Sequence, residues 1–285
     1  MGQTLFGLLG WPVGHSVSPA MMNAAFAALD IDAVYVAFGV RPERIAAAVA
    51  GLAALGARGC NVTIPHKRAV FELVHERTPE AVLAQAVNTV RFDEAGERWI
   101  GHNTDVSGWW RSIADLAAGA AGPFAVLGAG GAARAVLAAL ALERPGTKVA
   151  LIARDLGKAS QLQRAVTGVD VELVAWDDRH AAIAAAQVVV NTTPIGMWPH
   201  ADASPVADPA CFRPGQIVQD IVYRPLTTRF MAQASARGAV VRDGLGMLIH
   251  QGAAAFSFWL GREAPVAVMA EAARAALGEG AEPSR

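Results

Sequence analysis

Phe124-Ala125-Val126-Leu127-Gly128-Ala129-Gly130-Gly131-Ala132-Ala133 is the stretch on which the reading of the fold turns. Four apolar residues suit a buried strand, G-x-G-x-x-A suits a tight turn, and an alanine-rich run then suits a helix. The first glycine allows the turn, the second lets backbone approach a pyrophosphate, and small Ala133 allows close helix–strand packing. The helix start offers unpaired N–H groups and the positive end of its dipole to an anion. A glycine turn can also do no more than join two elements, but the strand–turn–helix setting favours a dinucleotide. Gly128, Ala129, Gly130, Gly131 and Ala132 are therefore cofactor-binding candidates.

On either side of this turn, short apolar runs alternate with alanine-rich helical stretches. Toward the C terminus, strands are expected at 148–153, 171–175, 188–191 and 217–221, with helices at 132–142, 156–166, 178–185 and 227–237. Toward the N terminus, strands are expected at 5–9, 33–38, 59–63 and 89–93, with helices at 19–29, 42–55 and 67–74. Such alternation argues for parallel sheets covered on both faces. After a short strand at 240–241 the pattern becomes helical, at 245–260 and 266–277, and residues 278–285 read as a polar, frayed tail. A helix starting at Val106 is expected to cross between domains, and the last helices to pack back on the first. The expectation is an α/β protein of two domains. One is a mainly parallel α/β domain of residues 1–106 plus 243–285, and the other a Rossmann-type domain of residues 107–242.

Bulk properties narrow the function. Hydrophobic residues make up 53% of the 285 and charged residues 17%, ample for packed cores and opposed to disorder. A net charge of −1 gives no pull toward nucleic acid or acidic membranes. Cys60 and Cys211 are too few for a disulfide framework or a zinc site, so a reduced, cytoplasmic protein with no metal is expected. No basic segment followed by a long apolar run opens the chain. The most membrane-like stretch, 121–142, holds Pro123, the glycine cluster and Arg134, and reads better as strand, turn and helix.

Cofactor choice is read at the end of the next strand, where Ala153 is followed by Arg154, Asp155 and Lys158. An acidic residue there would hold the 2′-hydroxyl of NAD, whereas an arginine suits the 2′-phosphate of NADP. Asp155 can instead cap the following helix. Lys158 in that helix's first turn is mildly unfavourable unless a phosphate lies nearby. The balance favours NADP, with NAD as the alternative.

The first half carries small polar clusters at strand ends. Gly14-His15-Ser16-Val17-Ser18-Pro19 follows the first strand. In extended backbone Ser16 and Ser18 would share a face and could meet a carboxylate, while Pro19 at a helix start makes Ser18 an N-cap candidate. Asn61-Val62-Thr63-Ile64-Pro65-His66-Lys67 puts Thr63 and Lys67 at a strand-to-helix junction, the edge where α/β folds bind ligands. Asn88 and Asp105 sit in further polar segments that read equally well as turns.

Taken in order, these motifs resemble the shikimate dehydrogenase family from about Gly7 to Gly261. Further carriers are Asn191-Thr192-Thr193-Pro194-Ile195-Gly196-Met197, Asp220-Ile221-Val222-Tyr223, and Asp243-Gly244-Leu245-Gly246-Met247-Leu248 with Gln251. The resemblance implies reversible NADPH-dependent reduction of 3-dehydroshikimate to shikimate, a step toward the aromatic amino acids, with the active site in a cleft between the domains. It implies that Ser16 and Ser18 hold the substrate carboxylate, with Tyr223 nearby. Thr63, Asn88, Asp105 and Gln251 would bind ring hydroxyls, and Lys67 would move the proton. Gly244 and Met247 would lie beside the nicotinamide, and Thr192 and Thr193 would border the cofactor.

The chemistry suits these residue types. Oxidation of a secondary alcohol sends a hydride to the nicotinamide and releases a proton that the protein must handle. Lys67 can take that proton in one direction and return it in the other, and Asp105 can orient the alcohol. The departures from the family are Met22 before Asn23 in place of the usual histidine, Trp11 before Pro12, and Asp155 in place of threonine. They leave open a paralogue acting on quinate or an amino analogue of shikimate, with NAD as its cofactor. More distant readings are a methylene-tetrahydrofolate dehydrogenase and a non-catalytic nucleotide sensor. The expected partner is a small molecule, and oligomeric state is open, a homodimer included.

Overall fold

The computed structural model describes residues 3–93 and 95–279. It divides into two compact units, Met1–Thr104 with Ile249–Arg285, and Asp105–Leu248. The first begins with β1 (Thr4–Gly10), α1 (Ser18–Ala28), β2 (Ala33–Gly39), α2 (Ile45–Ala54), β3 (Gly59–Val62), α3 (Lys67–Leu73), β4 (Glu76–Arg77), α4 (Pro79–Ala84), β5 (Thr89–Phe92) and β6 (Trp99–His102). Its strands form one sheet in the order β2-β1-β3-β5-β6-β4. β1 is parallel to β2 and β3, but β5 runs antiparallel to both β3 and β6.

The sheet is of the mainly parallel kind expected, with β5 its antiparallel exception, and β4, α4 and β6 were not foreseen. β4 has two residues and β6 reads Trp99-Ile100-Gly101-His102, too short for a periodicity to register. The reversal matters for function. Because β5 runs backward, its beginning lies beside the C-terminal end of β3, where the Val62 N–H donates to the Asn88 carbonyl at 2.8 Å.

The second unit holds α5 (Thr104–Ala117), β7 (Phe124–Leu127), α6 (Gly131–Glu143), β8 (Lys148–Ala153), α7 (Leu156–Ala165), β9 (Asp170–Ala175), α8 (Arg179–Ala185), β10 (Val188–Asn191), β11 (Ile217–Asp220), α9 (Arg229–Ala236) and β12 (Val240–Arg242). Its sheet, β12-β11-β10-β7-β8-β9, is parallel throughout and is the doubly wound arrangement expected of a Rossmann-type unit. The membrane-like stretch resolves into β7, the glycine turn and α6. No helix of the described chain is long and apolar enough to cross a membrane.

Two polar devices secure α5 within this unit. The Trp109 indole donates to Gln219 on β11 at 2.8 Å, and the Gln219 amide donates to Ser112 at 2.9 Å, all three residues being buried. At the other end, the Arg144 guanidinium donates to the carbonyls of Ala117, Ala118 and Ala120. It thereby satisfies orphan acceptors and sets a cation at the negative end of the helix.

The chain ends in α10 (Leu245–Leu260) and α11 (Val266–Glu279). α11 packs against α1, as the pattern suggested for the last helices. Phe6 and Phe26 stack with Phe256 and Trp259 of α10 to form an aromatic core. The approach is close enough to dictate Gly59, where a Cβ would lie 2.4 Å from the Trp259 indole nitrogen that donates to the Val90 carbonyl. The polar tail was expected from Gly278. Helix continues through that residue, and 280–285 lie outside the described residues.

Candidate functional site

In the second unit the glycine turn has the features an anion cradle requires. Gly128 has φ +108, and a Cβ there would meet the Thr192 hydroxyl at 2.7 Å, so both conformation and space demand glycine. Nothing lies within 4 Å of a Cβ built at Gly130 or Gly131. Gly130 is the N-cap of α6 and no side chain caps that helix, which leaves its first N–H groups to a ligand. The residues present therefore fit a dinucleotide pyrophosphate, with Ala129 and Ala132 adding no bulk to the cradle.

At the end of β8 the structure decides how Asp155 is used. Its carboxylate accepts from the Lys158 N–H at 3.0 Å and is the N-cap of α7, with the Lys158 ammonium 4.0 Å from its other oxygen. Asp155 is thus turned to its own helix, and Arg154 stands exposed at the strand end.

The neighbouring strand ends show what Thr192 and Thr193 do. Thr192 donates to the Leu127 carbonyl at 2.6 Å and Thr193 donates to Asn191 at 2.7 Å. Both hydroxyls hold the loop after β10 and shape the edge rather than projecting free donors. Asn191 in turn donates to Asp220, which also accepts from the Val222 N–H and the Thr228 hydroxyl. The segment carrying Tyr223 is thereby fastened to β10. Burial raises the Tyr223 phenol above its ordinary range, keeping it a hydroxyl. Gly244 leaves no choice of side chain, since a Cβ would lie 2.0 Å from the Ile221 carbonyl oxygen, and Met247 follows it, buried in the first turn of α10.

Burial pushes the Asp220 carboxyl up from 3.8 to about 6, its three hydrogen bonds opposing the shift. The folded chain then binds this proton more tightly than the unfolded chain. Its contribution to stability accordingly falls as pH rises from about 4 to about 6 and stays low above that. Asp220→Asn keeps an acceptor for Val222 and Asn191 and presents an N–H to Thr228. Relative to wild type, it is expected to gain on the order of 3 kcal/mol between pH 4 and pH 7. Denaturant unfolding of both proteins across that range checks this, and a difference that does not change with pH refutes it.

In the first unit the candidate residues gather at one edge of the sheet. Ser16 and Ser18 follow β1, Thr63 and Lys67 follow β3, and Asn88 precedes the reversed β5. Thr63 is seated by its N–H, which donates to the Leu9 carbonyl at 2.8 Å, and by its methyl group, which occupies the space a Cβ at Gly10 would fill. Lys67 is the first residue of α3, and its carbonyl accepts from the Val87 N–H at 2.9 Å, tying it to the segment that presents Asn88. The Asn88 oxygen accepts from the Thr104 N–H at 2.8 Å and its amide nitrogen donates to the Thr104 hydroxyl at 3.0 Å. Asp105, the first residue of the second unit, lies in the first turn of α5 and is largely buried, and Gln251 of the first unit lies in α10. His66, which carried no signal in the sequence, is structural. It is buried, with Nε2 2.7 Å from the Val40 carbonyl.

One local expectation is corrected here. Ser18 is not the N-cap of α1. Val17 holds that position in α-region backbone, and Ser18 is the first helical residue. The extended geometry that would align the two serines is therefore absent. Instead the Ser16 hydroxyl accepts from the Ser18 N–H at 3.2 Å, so the local hydrogen bond belongs to Ser16. This separates the two variants. Ser18→Ala is expected to raise KM for a carboxylate substrate about tenfold with little change in Tm, since a hydrogen bond to a charged group is worth about 1.5–3 kcal/mol. Ser16→Ala is expected to raise KM and also lower Tm. An unchanged KM for Ser18→Ala would remove that hydroxyl from the site.

Sequence reasoning missed the residues that hold Asn88 in place. Asn61 stood inside a quoted motif and Thr104 beside Asp105, both without a role, and Tyr35 was not singled out. Their signal is spatial, since Tyr35 and Asn61 meet across 26 positions of chain. Among the described residues, no three His, Cys, Asp or Glu side chains are grouped to hold a metal ion.

Comparison with known proteins bears on both units. Residues 8–90 match the family model of the shikimate dehydrogenase substrate binding domain, and residues 244–274 match that of the shikimate 5′-dehydrogenase C-terminal domain. The shikimate dehydrogenase (NADP(+)) of Moorella thermoacetica is 48% identical over 96% of this chain and 94% of its own length. Among solved structures, shikimate 5-dehydrogenase from Thermus thermophilus, in complex with NADP(H) and shikimate, is 36% identical with a TM-score of 0.84, covering 96% of this chain and all of that one. Quinate dehydrogenase from Corynebacterium glutamicum, in complex with NAD, is 32% identical with a TM-score of 0.88, covering 96% of this chain and all of that one.

Proposed function

The chain belongs to the shikimate dehydrogenase family, and we propose that it catalyses the reversible NADPH-dependent reduction of 3-dehydroshikimate to shikimate. The fold alone does not choose the substrate, since a quinate dehydrogenase shares it. The observation that carries the choice of cofactor is the capping geometry of Asp155, which withdraws the acidic group expected of an NAD site and leaves Arg154 to meet a phosphate. The choice of substrate rests on the extent of identity to relatives named for shikimate and NADP, together with the polar edge of the first sheet.

In this reading the Met1–Thr104 and Ile249–Arg285 unit binds substrate and the Asp105–Leu248 unit binds cofactor. Gly128, Gly130, Gly131 and the open N-terminus of α6 receive the pyrophosphate, and Arg154 with Lys158 receives the 2′-phosphate. Gly244 and Met247 lie along the nicotinamide. When bound, the nicotinamide supplies or accepts the hydride. The protein handles the rest. Ser16 and Ser18 donate to the carboxylate, with Tyr223 adding a hydroxyl. Thr63, Asn88 and Gln251 hold ring hydroxyls, Asn88 through the amide N–H not given to Thr104. Lys67 Nζ takes the hydroxyl proton as the alcohol is oxidised and returns it to the carbonyl oxygen on reduction. As an ammonium it also offsets charge developing on that oxygen. The Asp105 carboxylate accepts from the reacting hydroxyl and fixes its orientation.

A cytoplasmic setting accords with two buried, unpaired cysteines, whose thiols burial pushes up to about 12 for Cys60 and about 11 for Cys211. A homodimer is tested by sedimentation of the purified chain. The functional test is kcat/KM for shikimate and quinate, each with NADP and NAD. Shikimate with NADP is expected to lead, and a chain that prefers quinate or NAD overturns the proposal.

A further inference from the structure

A buried chain of hydrogen bonds runs across the first sheet toward the substrate edge, and it begins at a residue with no place in the chemistry above. Tyr35 lies on β2, the outermost strand of the sheet. Its outward N–H and C=O lack a strand partner, and the Asn23 amide of α1 satisfies both, accepting from the Tyr35 N–H at 2.8 Å and donating to its carbonyl at 3.0 Å. The tyrosine ring is 1% exposed, and its hydroxyl donates to Asn61 Oδ1 on β3 at 2.8 Å. Asn61 Nδ2 then donates to the Asn88 carbonyl at 3.1 Å and to the Thr89 hydroxyl at 2.9 Å. Thr89 in turn donates to Asn88 Oδ1 at 2.9 Å. The link thus reaches both the backbone and the side chain of Asn88.

The direction of each bond is fixed. A carbonyl can only accept, so the nitrogen end of Asn61 must face Asn88 and its oxygen must face Tyr35. The tyrosine is then obliged to donate. Burial raises its phenol well above 10, so the donor persists throughout the working pH range. Without that hydroxyl, Asn61 Oδ1 would be a buried acceptor with no donor. The amide could regain a partner only by turning away from Asn88.

We infer that Tyr35 is a positioning residue for the substrate site, acting through Asn61 to hold Asn88 in the orientation that presents its remaining N–H to a ring hydroxyl. Asn23 serves the same function one step further out. It ties β2 to α1, the helix whose first residue is Ser18, so the carboxylate end and the hydroxyl end of the site share one rigid frame. The inference rests on the proposed function, and the experiment separates the two.

The full-length wild type is assayed first with shikimate and NADP, and absent turnover rejects the proposed function and this role with it. Given turnover, Tyr35→Phe is made alone and together with Asn88→Ala. Alone, it is expected to lower kcat/KM for shikimate about tenfold while KM for NADP changes by less than about twofold. In the Asn88→Ala background, the same substitution is expected to cost less than about twofold, because the group it acts through is gone. Equal losses in both backgrounds, or a lowered Tm with kcat/KM unchanged, overturn the inference and leave Tyr35 a purely structural residue. Asn23→Ala provides a second variant should Tyr35→Phe fold poorly. It is expected to lower kcat/KM for shikimate about threefold, again leaving KM for NADP in place. An unchanged value there is equally fatal to the idea.

Discussion

Lys67→Ala is expected to lower kcat by about 100-fold or more, with a smaller rise in KM for shikimate. The hydride has an acceptor in the nicotinamide, but the hydroxyl proton has none unless the protein provides it. Among the residues at the edge of the first sheet, Ser16, Ser18, Thr63 and Asn88 carry neutral hydroxyls or an amide. None of these is a base at neutral pH. The Asp105 carboxylate is given to orienting the alcohol, and Lys67 is the candidate that can both exchange the proton and, as an ammonium, offset charge on the carbonyl oxygen. Its place supports the assignment. As the first residue of α3 it puts a cation at the positive end of a helix, a mildly unfavourable choice on structural grounds alone. Its carbonyl, held by the Val87 N–H, anchors the backbone from which the side chain extends. Because alanine is the better helix former and the backbone bond survives substitution, Tm is expected to hold steady. Loss of turnover in a folded protein would therefore report on chemistry. Steady-state kinetics with shikimate and NADP, alongside a melting curve, make the comparison. A variant with kcat near that of wild type would take Lys67 out of the mechanism.

The Rossmann-type unit was legible in the sequence almost to the residue. Strands expected at 124–127, 148–153 and 188–191 appear as Phe124–Leu127, Lys148–Ala153 and Val188–Asn191. These are largely buried parallel strands, written after Phe124 and Lys148 as runs of Val, Ile, Leu and Ala and closed by glycine, arginine or asparagine. The first sheet was less legible for two reasons. A strand's direction leaves no mark in its own pattern, so the reversal of β5 could not be read, and β4 and β6 are too short to show a period. In the candidate site, residue identities were legible but their local bonds were not. Ser18 looked like a helix cap because Pro19 follows it, yet the helix starts one residue earlier than that reading requires and Ser16 makes the local bond. The Tyr35–Asn61 contact joins residues far apart in the chain, and only the order β2-β1-β3 brings their side chains within reach.

Arg154→Ala is expected to cut kcat/KM with NADP on the order of 100-fold while leaving that with NAD nearly unchanged. NADP differs from NAD by one phosphate on the adenosine ribose, so discrimination must come from groups that touch it. Arg154 follows Ala153, the last residue of β8, the strand beside β7 and its glycine turn. A guanidinium there can make paired, charge-assisted bonds to phosphate oxygens, and Lys158, in the first turn of α7, can add a point charge. The competing reading gave Asp155 to the ribose 2′-hydroxyl. Its carboxylate instead accepts from the Lys158 N–H and lies 4.0 Å from the Lys158 ammonium. Turning it to the ribose would uncap α7, at a cost of about 1 kcal/mol. The arrangement therefore opposes an NAD site more than it opposes NADP. The Lys158 ammonium is itself exposed, so its pairing with Asp155 is loose enough to yield to a doubly charged phosphate. Lys158→Ala should accordingly lose NADP activity less severely than Arg154→Ala. Measuring kcat/KM for both cofactors in wild type and the two variants decides the matter. A wild type that prefers NAD, or an Arg154→Ala variant that loses activity equally with both, would mean that Arg154 does not read the phosphate.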